Sequence, residues 1–122
     1  MLTGQIKSPE DIPEGDFRRT HPRFLPENFH FNLELVNRLQ AIAKRQGCTP
    51  GQLALAWARQ AGKSIKGDPA IIPIPGAVTE ERVLENAKVV KLDKQAIKDI
   101  EQILSEVEVV GNRYPADHKI EG

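Results

Sequence analysis

The chain has 122 residues, of which 39% are hydrophobic and 28% charged, values typical of one globular domain with a modest core. Its 17 lysines and arginines balance 17 aspartates and glutamates, which argues against a nucleic-acid surface or a polybasic membrane patch. No apolar run approaches the roughly 20 residues that span a bilayer, and the lone Cys48 excludes an intrachain disulfide. We therefore expect a cytoplasmic protein with no nucleic-acid and no membrane partner.

The first half of the chain predicts a loop followed by two helices. Residues 1–28 are expected to form a loop, because prolines interrupt every periodic pattern. A helix is predicted over 32–46, where apolar residues recur at helical spacing, and Gly47 suits the position just beyond its end. A second helix is predicted over 50–61, with Thr49 as its N-cap and Gln52 completing a capping box.

The second half predicts one strand, two helices and a tail. The run 70–75, Ala-Ile-Ile-Pro-Ile-Pro, predicts a short strand buried on both faces, as in a parallel α/β sheet. Helices are expected over 79–88 and 93–106, followed by a polar tail over 107–122. A doubly buried strand needs a sheet that this chain does not supply. The pattern therefore predicts part of a larger α/β unit.

The segment with a candidate ligand-binding function consists of the turn after that strand and the helix that follows. A strand, Gly76 and a helix N-terminus form an arrangement that favours phosphate. Arg82, Glu85 and Asn86 share one helical face, where the guanidinium suits phosphate and the amide suits an adenine edge. The alternative is that Arg82 and Glu85 form an ordinary surface ion pair, worth a few tenths of a kcal/mol.

This stretch resembles the last strand and following helix of the aldo-keto reductases, where an Ile-Pro-Gly turn leads to Arg-x-x-Glu-Asn. The resemblance implies that Arg82 contacts the 2′-phosphate of NADP(H), and that Glu85 and Asn86 contact adenine. It also implies that Gly76 and Ala77 bind the cofactor's phosphates. Since the turn carries no lysine or serine side chain, these contacts are expected from the backbone, and NADP preference is expected to rest on Arg82.

Other segments extend the resemblance over essentially the whole chain. They are Leu2-Thr3-Gly4, the stretch from Gly15 to Phe24, and the stretch from Gly47 to Trp57. The last is similar to the potassium-channel-β-like and pyridoxal-reductase-like branch. The implied fold is α/β, the C-terminal part of a (β/α)8 TIM barrel, mostly helical in this chain with one short buried strand near 70–75.

The resemblance also implies what is missing. Family members reduce aldehydes or ketones to alcohols by hydride transfer from NADPH, with a tyrosine, lysine, aspartate and histidine on earlier strands. A barrel of this kind needs about 250 residues, so this chain is expected to lack the catalytic tetrad and to be inactive alone. Tyr114 lies in the tail, outside any tetrad motif. The small-molecule carbonyl substrate would be bound by the longer protein.

Three further features have both a functional and a structural interpretation. His21 lies among Arg18, Arg19 and Arg23, a basic cluster that either lines the phosphate site or is simply solvated. Cys48 precedes a helix, where a thiolate could be stabilised, but a connecting role fits better. His30 and His118 have no metal-ligand spacing, so no metal site is expected.

Three hypotheses follow for function. The first is that the chain is part of an aldo-keto reductase, and that this part holds the 2′-phosphate and adenine end of NADPH. The second is a non-catalytic NADP-binding or regulatory protein derived from the same fold. As an isolated piece of a barrel, the chain would expose apolar faces, which favours self-association. The third, a helix-turn-helix around residues 47–50, is disfavoured because its second helix is apolar where a recognition helix is basic.

Overall fold

The structure, a computed structural model, describes residues 1–62 and 71–116. These residues contain four α-helices, α1 (Pro26–Arg45), α2 (Pro50–Gly62), α3 (Glu80–Ala87) and α4 (Lys94–Glu106). Three short 3-10 helices precede α1, at Pro9–Asp11, Phe17–Thr20 and Pro22–Phe24. In the part of the chain that is described, no helix is long and apolar enough to cross a membrane.

Helix α1 begins at Pro26, earlier than the residue 32 that the apolar stripe predicts. Proline is well suited to the first helical turn, but the N-cap position is taken by Leu25, whose side chain makes no capping hydrogen bond. The start therefore lacks the polar N-cap signal. The end follows the sequence closely, since Gly47 adopts a φ of 63°. The Cys48 N–H then bonds to the Ala43 carbonyl at 3.0 Å, which closes a Schellman turn.

The core lies where α1 meets α2 and α4. Its buried members come from the apolar stripes of these three helices, namely Leu35, Ile42, Ala43, Leu53, Ala96, Ile100 and Ile103. A second, smaller cluster joins the N-terminal segment to the first turns of α1 through Ile6, Ile12 and Phe29. The segment 1–28, expected to be a loop, is thus organised by 3-10 turns and by its own apolar contacts.

Polar contacts align α1 with α4. Arg38 pairs with Glu106 and Arg45 pairs with Asp99. At the start of α4, Gln46 Nε2 donates to Asp93 Oδ2 at 2.7 Å. Exposed ion pairs contribute little to stability, so the apolar core is the main interaction that holds the two helices together.

The strand predicted over 70–75 is not present. Ala70 lies outside the described residues, and residues 71–77 have no regular secondary structure. Ile72 and Ile74 are 80% and 94% exposed, whereas the sequence pattern predicts that they are buried. The prediction is wrong for this chain because a strand needs a neighbouring strand for its hydrogen bonds and a layer over each face. The described residues offer neither, so they show a helical assembly and no barrel.

Candidate functional site

The candidate site is built around the N-terminus of α3, which follows the irregular segment 71–77. Thr79 caps the helix, and its Oγ1 accepts a hydrogen bond from the Arg82 N–H at 3.2 Å. Glu80 and Glu81 occupy the first turn, where acidic side chains already satisfy the positive end of the helix dipole. Attraction of a phosphate to this site must therefore come mainly from side-chain cations.

Arg82 and Glu85 form a half-buried ion pair on the face of α3 that contacts α2. Arg82 Nη1 donates to Glu85 Oε2 at 2.7 Å, and the two side chains are 28% and 24% exposed. Two residues at the start of α2 bind the same glutamate. The Thr49 hydroxyl donates to Glu85 Oε1 at 2.6 Å, and Gln52 Nε2 donates to the Glu85 carbonyl at 3.0 Å.

The remaining predicted site residues lie beside a groove between α2 and α3. Asn86 Nδ2 is 3.5 Å from the Gly76 carbonyl, a distance at the limit of a hydrogen bond. A groove of about 260 Å³ lies beside Asn86. It is similar in volume to a separate groove of about 280 Å³ that has an apolar lining. The groove beside Asn86 is lined by Arg59, Pro75, Ala77, Val83, Asn86 and Ala87. The structure thus brings Gly76, Ala77 and Asn86 together.

Three residues at this site were not predicted from the sequence to belong to it. The sequence predicts Thr49 and Gln52 as a capping box, and no sequence pattern indicates that they also bind Glu85. Arg59, from α2, supplies the groove with a second cation. One signal was available for it, since a cation in an otherwise apolar helix that packs on α3 is a candidate anion contact.

The basic cluster around His21 does not converge on α3. Arg18 forms an ion pair with Asp16 at 2.6 Å, and its hydrogen bonds lower the pKa of that carboxyl to about 2. Arg19 Nε donates to the Ile12 carbonyl at 2.8 Å, and Arg23 Nε donates to the Gly111 carbonyl at 3.2 Å. These arginines organise the N-terminal segment, which favours the structural interpretation over a phosphate site.

The remaining candidate residues show structural contacts. Burial raises the pKa of the Cys48 thiol, and its side chain packs against the core, so the connecting role fits and a reactive thiolate does not. The Tyr114 ring lies edge-on to His21, with centroids 5.7 Å apart, and His30 stacks on Phe31. His118 lies outside the described residues. Within those residues, no group of histidine, cysteine or carboxylate side chains is arranged to hold a metal ion.

Comparison with known proteins identifies the family. The model of the Aldo/keto reductase family matches residues 1–105, and the chain belongs to that family. It is 47% identical over 117 residues to "Aldo-keto reductase yakc [NADP(+)]" of Schizosaccharomyces pombe, covering 94% of this chain and 33% of the relative. It is 37% identical over 115 residues to "Aldo-keto reductase str7" of Strobilurus tenacellus, covering 93% of this chain and 32% of the relative.

The chain thus spans about a third of the length of these curated relatives. No solved structure matches it significantly. The family is one of oxidoreductases built on a (β/α)8 barrel, and the name of the first relative includes NADP(+).

Proposed function

We propose that this chain is the C-terminal part of an NADP(H)-dependent aldo-keto reductase and binds the 2′-phosphate and adenine end of the cofactor. The observation that carries the proposal is the half-buried Arg82, held by Glu85 on the helix that follows the Gly76 turn. The family match over residues 1–105 supports the general activity, the reduction of aldehydes or ketones. The finer branch, potassium-channel-β-like or pyridoxal-reductase-like, is part of the same proposal.

The side chains present fit this end of the cofactor. Among the described residues, the Arg82 guanidinium makes one hydrogen bond, from Nη1, so its other N–H groups can donate to a phosphate. A Cβ placed on Gly76 would meet no atom within 4 Å, so the turn leaves space for a ligand close to the backbone. The Asn86 amide offers both a donor and an acceptor for an adenine edge.

The role of these residues is to bind and orient the cofactor. NADPH, when bound, supplies the hydride for reduction of the carbonyl. Arg82 and Arg59 would attract the phosphates, and Asn86 would fix the base. The Tyr114 ring lies against His21 and Arg113, so a packing role fits it better than proton donation to a carbonyl. We therefore expect the chain to bind the cofactor without completing the reaction, and the carbonyl substrate to be bound by a longer protein.

A second candidate is a non-catalytic NADP-binding or regulatory protein that pairs with another chain. Its support is the exposed apolar surface of the segment after residue 70, where Ile72, Ile74 and Val78 are 80%, 94% and 100% exposed. Exposed apolar residues in such a row favour an interface. Because the same residues are available in every copy, self-association of the chain is the simplest form of this alternative.

Titration of the 122-residue chain with NADP+ and with NAD+ tests the first proposal. We expect NADP+ to bind the more tightly, and Arg82→Ala to weaken NADP+ binding about tenfold or more while leaving NAD+ binding nearly unchanged. Arg113→Ala, at an arginine in the tail, is the matched control and should change neither. Equal binding of the two cofactors, or an Arg82→Ala variant that binds NADP+ normally, would overturn the proposal.

The two candidates differ in the length of the native product. An antibody against this chain should detect a longer reductase in its source if the first is right, and a product of about 13.6 kDa if the second is right. Sedimentation velocity of the chain and of Ile74→Asp tests the exposed apolar surface. A dimer that dissociates in the variant would show that Ile74 lies in an interface, and a native product of about 13.6 kDa would then assign that interface to the second candidate.

A further inference from the structure

The capping box of α2 is bonded to α3 as well as to its own helix. Thr49 Oγ1 accepts from the Gln52 N–H at 3.2 Å, and Gln52 Oε1 accepts from the Thr49 N–H at 3.1 Å. The same two side chains donate to Glu85, one to its carboxylate and one to its carbonyl. Gln52 is buried, with 6% of its surface exposed. Glu85 is therefore fixed at both its main chain and its side chain.

The bond from Thr49 determines how Glu85 meets Arg82. A hydroxyl has one proton, and that of Thr49 points to Glu85 Oε1 at 2.6 Å. Only Oε2 is then directed at the guanidinium, and the pair has a single short contact, from Nη1 at 2.7 Å. Without the hydroxyl, the carboxylate could turn both oxygens to Arg82 in the bidentate arrangement that arginine and carboxylates prefer.

The two arrangements leave Arg82 with different capacity for an anion. In the single contact, the guanidinium keeps a pair of N–H groups that can take a phosphate in a fork. In the bidentate arrangement, the carboxylate occupies two N–H groups and competes directly with the phosphate. The hydrogen bond at Oε1 also draws negative charge away from the oxygen nearer Arg82, which weakens that competition.

We infer that Thr49 is a positioning residue that sets the preference for a 2′-phosphate, by holding Glu85 in a single contact with Arg82. The inference rests on the proposed cofactor site. It assigns to the α2 cap a role in ligand specificity in addition to its role in helix stability. It predicts that loss of the hydroxyl weakens binding of ligands with a 2′-phosphate and leaves binding of the same nucleotide without it unchanged.

The experiment compares two probes that differ only in the 2′-phosphate, adenosine 2′,5′-bisphosphate and adenosine 5′-monophosphate. Their dissociation constants are measured by calorimetry for the unmodified chain, Thr49→Val and Thr49→Ser. We expect Thr49→Val to lower the preference for the bisphosphate roughly three- to tenfold, and Thr49→Ser to restore it because serine keeps the hydroxyl. Weaker capping of α2 in Thr49→Val would change both constants alike and leave their ratio unchanged.

The possible outcomes distinguish the positioning role of Thr49 from the proposed cofactor site on which it rests. If the unmodified chain prefers the bisphosphate and Thr49→Val keeps the same preference, the positioning role is wrong and the cofactor site stands. A preference that Thr49→Ser fails to restore likewise contradicts the role of the hydroxyl. If the unmodified chain binds both probes equally, the cofactor site itself is wrong, and the inference is overturned with it.

Discussion

Asn32 and Val110 exchange two hydrogen bonds, although they lie 78 positions apart in the sequence. Asn32 Nδ2 donates to the Val110 carbonyl at 2.8 Å, and the Val110 N–H donates back to Asn32 Oδ1 at 2.8 Å. The same amide also donates to the Arg23 carbonyl at 3.0 Å. With 2% of its surface exposed, Asn32 behaves as a buried connector between α1, the N-terminal segment and the tail.

Replacement of this connector should be costly. Asn32→Ala leaves three backbone groups without their partner, and each buried group left unpaired costs about 1–3 kcal/mol. We expect a loss of about 2–4 kcal/mol in the free energy of unfolding, measured by urea titration. The control is Asn28→Ala, which removes one hydrogen bond to the Pro22 carbonyl and should cost about 1 kcal/mol. Equal losses in the two variants would contradict the role of Asn32.

The tail makes a second close contact with the N-terminal segment, at Gly111. This glycine has a φ of 86°, and a Cβ placed on it would lie 2.8 Å from the Pro22 carbonyl carbon. Gly111→Ala should therefore destabilise the chain by about 2–3 kcal/mol, because strain and a backbone clash add together. Gly15→Ala is the control, since φ is 79° there with no atom within 4 Å, and about 1 kcal/mol is expected. Thermal unfolding of both variants measures the difference.

Arg59 provides a test of the groove beside Asn86. If this groove receives part of the cofactor, Arg59→Ala should weaken NADP+ binding about three- to tenfold, with a smaller effect at high salt. The Arg59→Ala substitution should also weaken NAD+ binding, because Arg59 would contact a phosphate that both cofactors share. Arg45→Ala removes a cation paired with Asp99 on another helix pair and should leave binding unchanged. Normal binding by Arg59→Ala would exclude the groove from the site.

The ion pair of Asp16 and Arg18 predicts a pH dependence. The pKa of Asp16 is lowered from 3.8 to about 2 in the folded chain, first by the side-chain hydrogen bonds from Arg18. A carboxyl with a depressed folded pKa contributes stability above its unfolded pKa and loses it as the pH falls through the folded pKa. Asp16→Asn should therefore be less stable than the unmodified chain at pH 7, and the difference should vanish between about pH 4 and pH 2. Urea unfolding across this range measures the difference, and a constant difference would contradict the assignment.

Some features could be predicted from sequence because their causes are local. The capping box of Thr49 and Gln52, the left-handed Gly47 and the apolar stripe of α1 each depend on residues within a few positions of one another. The same holds for Arg82 and Glu85, which are one helical turn apart. Their pairing is the ordinary ion pair that is the alternative to the phosphate interpretation, and Glu85 also bonds to Thr49 and Gln52 at the start of α2.

Other features could not be predicted because their partners are distant or missing. Asn32 is polar within an apolar helix pattern, and its partner at Val110 is 78 positions away. Arg59 and Thr49 reach the site only through the packing of α2 on α3. The prediction of a strand at 70–75 is wrong for a different reason. Its apolar composition is that of a buried strand, but the residues that would cover it are not among those described, so Ile72 and Ile74 remain exposed.

Thermal unfolding with and without millimolar NADP+, followed by circular dichroism, determines whether this chain binds the phosphorylated adenosine end of NADP(H). A ligand that binds only the folded state, at 100 times its dissociation constant, adds about 2.7 kcal/mol of stability. We expect a cooperative transition whose midpoint is raised by NADP+ and is not raised in Arg82→Ala. A transition that NADP+ leaves unchanged would contradict cofactor binding by this chain.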